Sequence, residues 1–434
     1  MSFHMLAKCI GAFCCLYLLP IGVAEAQDAE APADTLRLDL KQTEKLFLNR
    51  NLSLVANHYH LVSDQALIEQ AKLWDNPQLS VDQNLYTNNR FFEHSTNSDG
   101  SYNGQYYIQL QQLIKTAGKR GKEIRLSQTN AAISEWQFKD LMRNLRTELR
   151  VDFYTAAQLE SSQKLYEEQL RQLDKLSKAM NQQFRLGNIA YKDLLRIQAL
   201  QISTQQDVVE NSNRLTELQA ELISILQAGP NTFIQPILTD TLLTRIPILS
   251  FDDLLAKAKE NNPSYRLQQL ELTYQQQNLS LQKSLAIPDV TVSPNFDKNS
   301  SYVPNYVGLG ISLPIPLFNR NQGNIHSAQW LIKEEETKLQ QTDNQLATAI
   351  KSSYSKYLNT KQLNDNGTEE FYKDYGKLYT KIVESYEQRE ISLIEFIDYF
   401  QAYKEIKEKA IRQKLNLRLS QEELNHQIGI DVLP

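Results

Sequence analysis

Cysteine is almost missing. The 434 residues contain three, Cys9, Cys14 and Cys15, and all of them lie near the start. Once that segment is removed, no disulfide framework, thiolate metal site or cysteine nucleophile is possible. None of the three follows an apolar run long enough to suggest lipidation. Glycine is scarce, at 14, and the 22% of charged residues mix both signs for a formal net charge of -5. Such a balance lacks the basic footprint of a nucleic-acid binder. Beyond the N-terminal segment no apolar run reaches about 18 residues, so no helix can span a bilayer. Also absent are a nucleotide loop, an HExxH pair and a nucleophile constellation, so the chain is not expected to be an enzyme or to carry a cofactor.

The N-terminus reads as an export signal. Lys8 supplies positive charge, residues 9–23 (CIGAFCCLYLLPIGV) a short apolar core, and AEA at 24–26 a small-residue cleavage site before Gln27. Residues 1–26 are therefore expected to be a signal peptide. The mature chain then goes to the periplasm or to an outer membrane crossed by strands.

The chain is written twice. LDLKQTEKLFLNRNLSL (38–54) aligns with LSFDDLLAKAKENNPSY (249–265), which puts Asn51 on Asn262, Ser53 on Ser264 and, further along, Pro77 on Pro288. FRLGNIAYKDLLRIQ (184–198) aligns with YEQREISLIEFIDYF (386–400), with Ile189 on Ile391 and Asp193 on Glu395. The period of about two hundred residues far exceeds a solenoid unit and indicates duplication of a whole half. The repeats are expected at 36–230 and 247–430.

Each half carries two alternating stretches, about 78–86 and 102–113, then 289–296 and 305–314. Leu79, Val81 and Leu85 oppose Ser80, Asp82 and Asn84, and Tyr102, Tyr106, Ile108 and Leu110 oppose Gln105, Gln109 and Gln111. Val290, Val292 and Phe296 oppose Thr291, Ser293 and Asn295, and Val307, Leu309, Ile311 and Leu313 oppose Gly308, Gly310 and Ser312. Such strands either pack on a soluble core or face lipid on one side and water on the other.

The helical segments favour the second reading. From Lys122 to Phe184 there is neither Pro nor Gly. One helix of about sixty residues there would run on the order of 90 Å. The segment 324–386 matches it, interrupted only by Gly367 and Gly376, and the returns 191–227 and 392–428 contain neither residue type. These segments predict two long hairpins, 120–227 and 322–428. Leu215, Leu218, Leu222 and Ile225 show the 3-4 spacing of antiparallel coiled-coil packing, as do Tyr372, Tyr375, Tyr379, Ile382 and Tyr386.

Four strands cannot close a barrel, and an open edge cannot lie in lipid. If the strands cross a membrane, several chains must each contribute four, and three chains would give about twelve. Strand must then turn into helix abruptly. SLPIPLFNRNQGNI (312–325), with Pro314, Pro316 and Gly323, reads as one such joint, and IQLQQLIKTAGKRGKEI (108–124), with Gly118 and Gly121, as its twin. Pro77 and Pro288 mark the passages from helix into strand.

These residues resemble the TolC family of outer-membrane efflux proteins, and more closely its CzcC-like branch associated with heavy-metal export. The resemblance covers 36–430 and rests on TAGKRG (116–121), LPIPLFNRNQG (313–323) and the twin turns FRLGNIAYKDLL and YEQREISLIEFID. It implies a mainly α fold with a small β part: a homotrimer whose β-barrel crosses the outer membrane and whose α-helical barrel crosses the periplasm. A mixed equatorial region would come from residues near 228–250 and the two chain ends. The twin turns would be tips that dock a periplasmic adaptor coupled to an inner-membrane RND-type pump. Carried over by position, one tip holds Gly187, Asn188, Ile189, Asp193 and Leu194, and the other Glu390, Ile391, Ser392 and Glu395. Arg389 stands where the first tip has Gly187, which predicts a different turn there, since Arg resists positive φ.

Other chemistry-bearing residues carry less. His58 and His60, two apart on a helix, point to different faces. His94 and Glu93 lie in the expected external loop, and Asp193, Glu395 and Asp398 near the tips could ring a cation path after trimerisation. The implied function is a passive exit duct for metal cations. The alternatives are a duct for drugs or other small molecules, and a soluble periplasmic coiled-coil scaffold. The scaffold would leave the four amphipathic strands unused.

Overall fold

The computed structural model describes residues 34–87, 89–238, 250–300, 303–365 and 368–433, and the expected signal peptide lies outside them. The first half runs β1 (Asp34–Leu38), α1 (Leu40–Arg50), α2 (Leu52–Lys72), β2 (Gln78–Gln83), the short β3 (Tyr86–Thr87) and β4 (Arg90–Phe91), β5 (Tyr106–Ile114), α3 (Lys119–Arg185), α4 (Tyr191–Leu226) and β6 (Thr232–Pro236). The second runs α5 (Phe251–Asn261), α6 (Pro263–Leu285), β7 (Val290–Asn299), β8 (Pro304–Ser312), α7 (Gln322–Asp365), α8 (Thr368–Glu387) and α9 (Leu393–Ile428).

The repeat is visible in single side chains. Asn51 ends α1 and caps α2, accepting the Leu54 N–H at 3.1 Å. Its amide donates to the Ile225 carbonyl at the end of α4 (2.9 Å). Asn262 does the same between α5 and α6, accepting from Tyr265 N–H (3.0 Å) and donating to the Gln427 carbonyl at the end of α9 (2.8 Å). One short polar side chain thus caps a helix and satisfies a buried carbonyl of another.

Strands β2, β5, β7 and β8 form one antiparallel sheet in that order. Val81 pairs with Ile108, Ile108 with Phe296, and Phe296 with Val307, which makes an apolar row across all four strands. The next row, Ser80, Gln109, Asn295 and Gly308, is polar and faces the other way. Pro294 has no N–H to give, and β5 skips its pairing with β7 at that level. β5 starts at Tyr106, four residues later than the alternation predicts. Before it, the chain turns into the loop, where the Tyr102 hydroxyl meets His94 Nδ1 (2.8 Å). A side chain at Gly104 would collide with the Glu93 carbonyl, 2.0 Å away, so the turn needs glycine.

Helix α3 has 67 residues, a length of about 100 Å. At its middle, Leu149, Ala156 and Leu159 pack with Phe47 of α1, Leu222 of α4 and Ile234 of β6. There β1 and β6 pair in parallel, the counterpart of the expected equatorial region; residues 239–249 lie outside the described residues. The second half builds an equivalent core from Leu254, Leu346, Ile350, Tyr357 and Leu424. The buried Arg150 ties the halves together. Its guanidinium donates to Glu422 (2.8 Å) in α9, to both Asp431 oxygens (2.9 and 3.0 Å) and to Glu44 in α1. Gly367, the first expected interruption, lies outside the described residues, whereas α8 runs unbroken through Gly376, the second.

Candidate functional site

The two hairpin tips lie at one end of the long helices. Where α3 ends, Gly187 adopts φ 77°, its N–H donating to the Phe184 carbonyl (2.9 Å) and the Asn188 N–H to that of Gln183 (2.9 Å). At the end of α8, Arg389 adopts φ 63°, donating to Tyr386 (3.0 Å), and Glu390 N–H donates to Ser385 (2.8 Å). The expectation of a different second turn is therefore wrong. Arg389 takes the left-handed conformation because the same pair of helix-ending hydrogen bonds requires it.

The tips differ instead at the next helix start. Ser392 caps α9 by accepting the Glu395 N–H (3.3 Å), and the Glu395 carboxylate accepts the Ser392 N–H (2.8 Å). Those hydrogen bonds hold the Glu395 carboxyl below its usual range. Ala190, at the matching position, has no side chain to offer and α4 starts uncapped.

A shared cluster fixes the tips side by side. Leu194 and Ile197 of α4 bury against Phe396 and Phe400 of α9, with Leu173 and Met180 of α3. The Tyr379 ring stacks on Tyr403 at 3.8 Å, and its hydroxyl donates to Gln172 (2.8 Å) across the halves. Lys404 of α9 pairs with Asp207 of α4. Of the predicted docking residues, Leu194 belongs to this core and presents no surface, while Ile189 and Ile391 pack partly against it. Gly187, Asn188, Glu390, Ser392 and Glu395 are exposed, and Asp193 is half-buried. The sequence reading missed the apolar side chains the tips present to solvent: Leu186 (64% exposed), Tyr191 (58%) and Ile394 (63%). Their signal was an apolar residue in or beside a turn otherwise rich in polar groups.

At the opposite end, the joint after β5 closes on the passage before β7. Thr116 donates through its N–H to Asp289 (2.8 Å) and through its hydroxyl to the Pro288 carbonyl (2.6 Å). The buried Lys119 ammonium donates to the Ile287 carbonyl (2.6 Å) and to Asp289 (2.7 Å). Ala117 and Gly118 both take positive φ to bring these groups round. Gly121 and Gly323 lie inside helices, in open space, and need no such freedom. After β8, the segment 313–318 with Pro314 and Pro316 forms a strap without regular structure, turning where the Leu317 N–H donates to the Ile315 carbonyl (2.9 Å), and Asn321, at φ 57°, anchors α7 by donating to the Gln282 carbonyl (2.8 Å). Pro77 is exposed just before β2.

The remaining candidates do not converge. His58 faces Phe138 of α3, whereas His60 pairs along its own helix with Asp64 (3.4 Å). Both His94 nitrogens are engaged, by Gln83 and Tyr102, and Glu93 turns away to accept the Ser95 N–H. Asp398 is exposed. Among the described residues no group of three His, Cys, Asp or Glu is placed to hold a metal, and no helix is long and apolar enough to cross a membrane.

This arrangement has known relatives. The profile of the family described as outer membrane efflux protein matches residues 45–227 and 254–388, one stretch in each repeat. The chain is 22% identical over 291 residues to the cobalt-zinc-cadmium resistance protein CzcC of Cupriavidus metallidurans, across 67% of this chain and 66% of that protein, just under two thirds of its length. To the nickel-cobalt-cadmium resistance protein NccC of Alcaligenes xylosoxydans xylosoxydans it is 23% identical over 328 residues, 74% of this chain and 68% of that one. The fold is similar to that of the Campylobacter jejuni CmeC outer membrane channel, with a TM-score of 0.74 at 14% identity, covering 90% of this chain and 85% of the channel.

Proposed function

Because the chain belongs to the outer membrane efflux protein family, we propose that it is the passive exit duct of a three-part export system in a Gram-negative bacterium. Three copies would close about twelve strands into an outer-membrane barrel, with the long helices forming a periplasmic tunnel. A periplasmic adaptor would dock at the tips, and an inner-membrane RND-type pump would drive transport. The duct itself would do no chemistry. Metal cations are the proposed cargo, in keeping with the metal-resistance proteins CzcC and NccC to which the chain is similar.

The observation that carries this reading is the two-faced sheet. Leu79, Val81, Val307, Leu309 and Ile311 lie exposed on a four-stranded sheet whose two edges are open among the described residues. In water such edges invite aggregation, and in a membrane they must be paired. A soluble scaffold has no use for either feature.

The test is deletion of the gene, followed by growth on zinc, cobalt, cadmium and nickel beside a drug panel. Lost metal tolerance with unchanged drug sensitivity is expected. Drug sensitivity alone would replace the cargo, and a water-soluble monomer after lysis would end the duct reading.

A further inference from the structure

At the end of the sheet away from the helices, β2 and β5 are joined by residues 84–105, whereas β7 and β8 are joined within 300–303. The longer loop leans to one side. Strand alternation puts Gln83, which pairs with Tyr106, on the same face as the apolar Val81 and Ile108. Lys298 follows Asp297 of the polar face and so falls on that apolar side too. Both side chains meet the loop. The Gln83 amide contacts His94 Nε2 (2.9 Å), and His94 Nδ1 contacts the Tyr102 hydroxyl (2.8 Å). The Lys298 ammonium lies over the Tyr102 ring, 5.1 Å from its centre, and the Asn299 amide donates to the Tyr102 carbonyl (2.8 Å). The loop is thus folded over the apolar side of the sheet and stands clear of the polar side.

In that position the loop sorts its own side chains. Tyr86 of β3 and Phe91 of β4 pair across a hairpin with their rings 4.9 Å apart. Phe91 is 70% exposed, and Leu85 and Phe92 beside the hairpin are exposed as well. The turn beyond is polar and closes on itself. The Asn97 amide donates to Ser101 and Asn103 (2.7 Å each), and the Asn103 N–H donates to the Ser95 carbonyl (2.8 Å). The nine residues of β5 cover about 30 Å along the strand. Tilted as in a barrel, that is the height of an apolar band about 25 Å tall. The hairpin therefore stands at the outer margin of the band, where amphipathic rings are favoured. Arg90, on the same hairpin, is exposed and positively charged.

We infer that the 85–92 hairpin is a collar that rests on the outer leaflet of the membrane. Tyr86, Phe91 and Phe92 seat among the lipids, Arg90 meets their phosphate groups, and the 95–103 turn faces water. The collar continues the apolar side of the sheet outward and leaves the mouth of the duct uncovered. The inference rests on the membrane reading of the sheet given above.

Single cysteines test it, because the chain beyond Cys15 has none. Phe91→Cys and Ser98→Cys are labelled with an environment-sensitive fluorophore in the purified full protein. The protein is then reconstituted into vesicles of phosphatidylethanolamine, phosphatidylglycerol and lipid A. Val81→Cys and Gln109→Cys are the references for the apolar and polar faces. Nitroxide on the lipid acyl chains is expected to quench the Phe91 label several-fold more strongly than aqueous iodide does, as at Val81, with the order reversed at Ser98. If Val81 follows the lipid quencher and Phe91 follows iodide, the collar alone is overturned. If Val81 also follows iodide, the membrane reading falls with it. Adding Arg90→Glu to the Phe91→Cys protein should weaken lipid quenching several-fold, and unchanged quenching would overturn the phosphate contact. Conductance supplies a second readout. Phe91→Ser with Phe92→Ser is expected to leave single-channel conductance at the parent value, and a rise would place the hairpin over the mouth and overturn the collar.

Discussion

Asp152 is the most exacting residue in the long helix. Its side chain is buried near the midpoint of α3, and one carboxylate oxygen has no hydrogen-bond partner. Burial, then the charges of Glu221 and Glu148, push its pKa up to about 7 from an ordinary 3.8. The direction of the linkage follows. Near pH 4 the folded form is protonated and the unfolded form only about half ionised, so the site costs little. As pH rises toward 7 the unfolded chain ionises while the fold retains the proton, so stability falls. Above 7 the fold carries an ionised, unpartnered group. Asp152→Asn is therefore expected to match the parent near pH 4 and to exceed it at pH 8 by on the order of 2 kcal/mol. Denaturant titrations in detergent at both pH values check this, and a gap that does not change with pH would refute it. Ser353 occupies the corresponding place in α7, also buried, its hydroxyl donating to the Ile350 carbonyl (3.2 Å). One half carries the difficult group and the other has relieved it.

At the scale of elements, the sheet makes the sharpest demand. Val81, Ile108 and Val307 of its apolar row are exposed and its polar row lines the other face, so the same substitution should act oppositely on neighbouring residues. Val307→Lys places a charge where lipid is proposed and should cost about 2–4 kcal/mol near the midplane. Gln109→Lys, on the polar row, should leave barrel yield close to that of the parent. The amount of folded, heat-resistant trimer in outer membranes reads both, and equal tolerance would remove the lipid assignment. These elements were also the most legible in the sequence. Period-two alternation points to the strands, and the long stretches poor in Pro and Gly point to the helices. Less legible was whatever depended on a neighbour. The late start of β5 follows from a loop contact with His94, and the skipped pairing at Pro294 needs β5 beside it. Arg389 could not be read correctly because propensity argues against its φ, and only the two helix-ending hydrogen bonds override that preference. Leu194 was assigned to the docking surface from its place in the turn motif, whereas the facing Phe396 shows it to be core.

For the whole molecule, distance becomes the argument. The tips and the sheet lie at opposite ends of a helix about 100 Å long, so assembly and coupling should separate genetically. The four-stranded sheet and the equatorial core of Leu149, Leu222 and Ile234 hold the copy together without the tips. The tip cluster needs Leu194, Phe396 and Phe400, which face inward, and does not need Leu186, Tyr191 or Ile394, which face out. Exposed apolar groups at the end of a stiff hairpin suit a docking surface, because little ordering is needed when a partner covers them. Leu186→Glu combined with Ile394→Glu is therefore expected to leave detergent-extracted trimer and its melting unchanged. Metal tolerance should fall toward that of the deletion strain, and the adaptor should no longer co-purify. Phe400→Ala is the contrasting variant. Its cavity should loosen the tip by about 3–5 kcal/mol, visible as faster hydrogen exchange in the amides around Leu173 and Met180. If the double variant keeps full tolerance and full adaptor recovery, the exposed tip side chains are not the docking surface. Coupling would then have to pass through the turn backbones, which both tips hold in the same conformation despite glycine in one and arginine in the other.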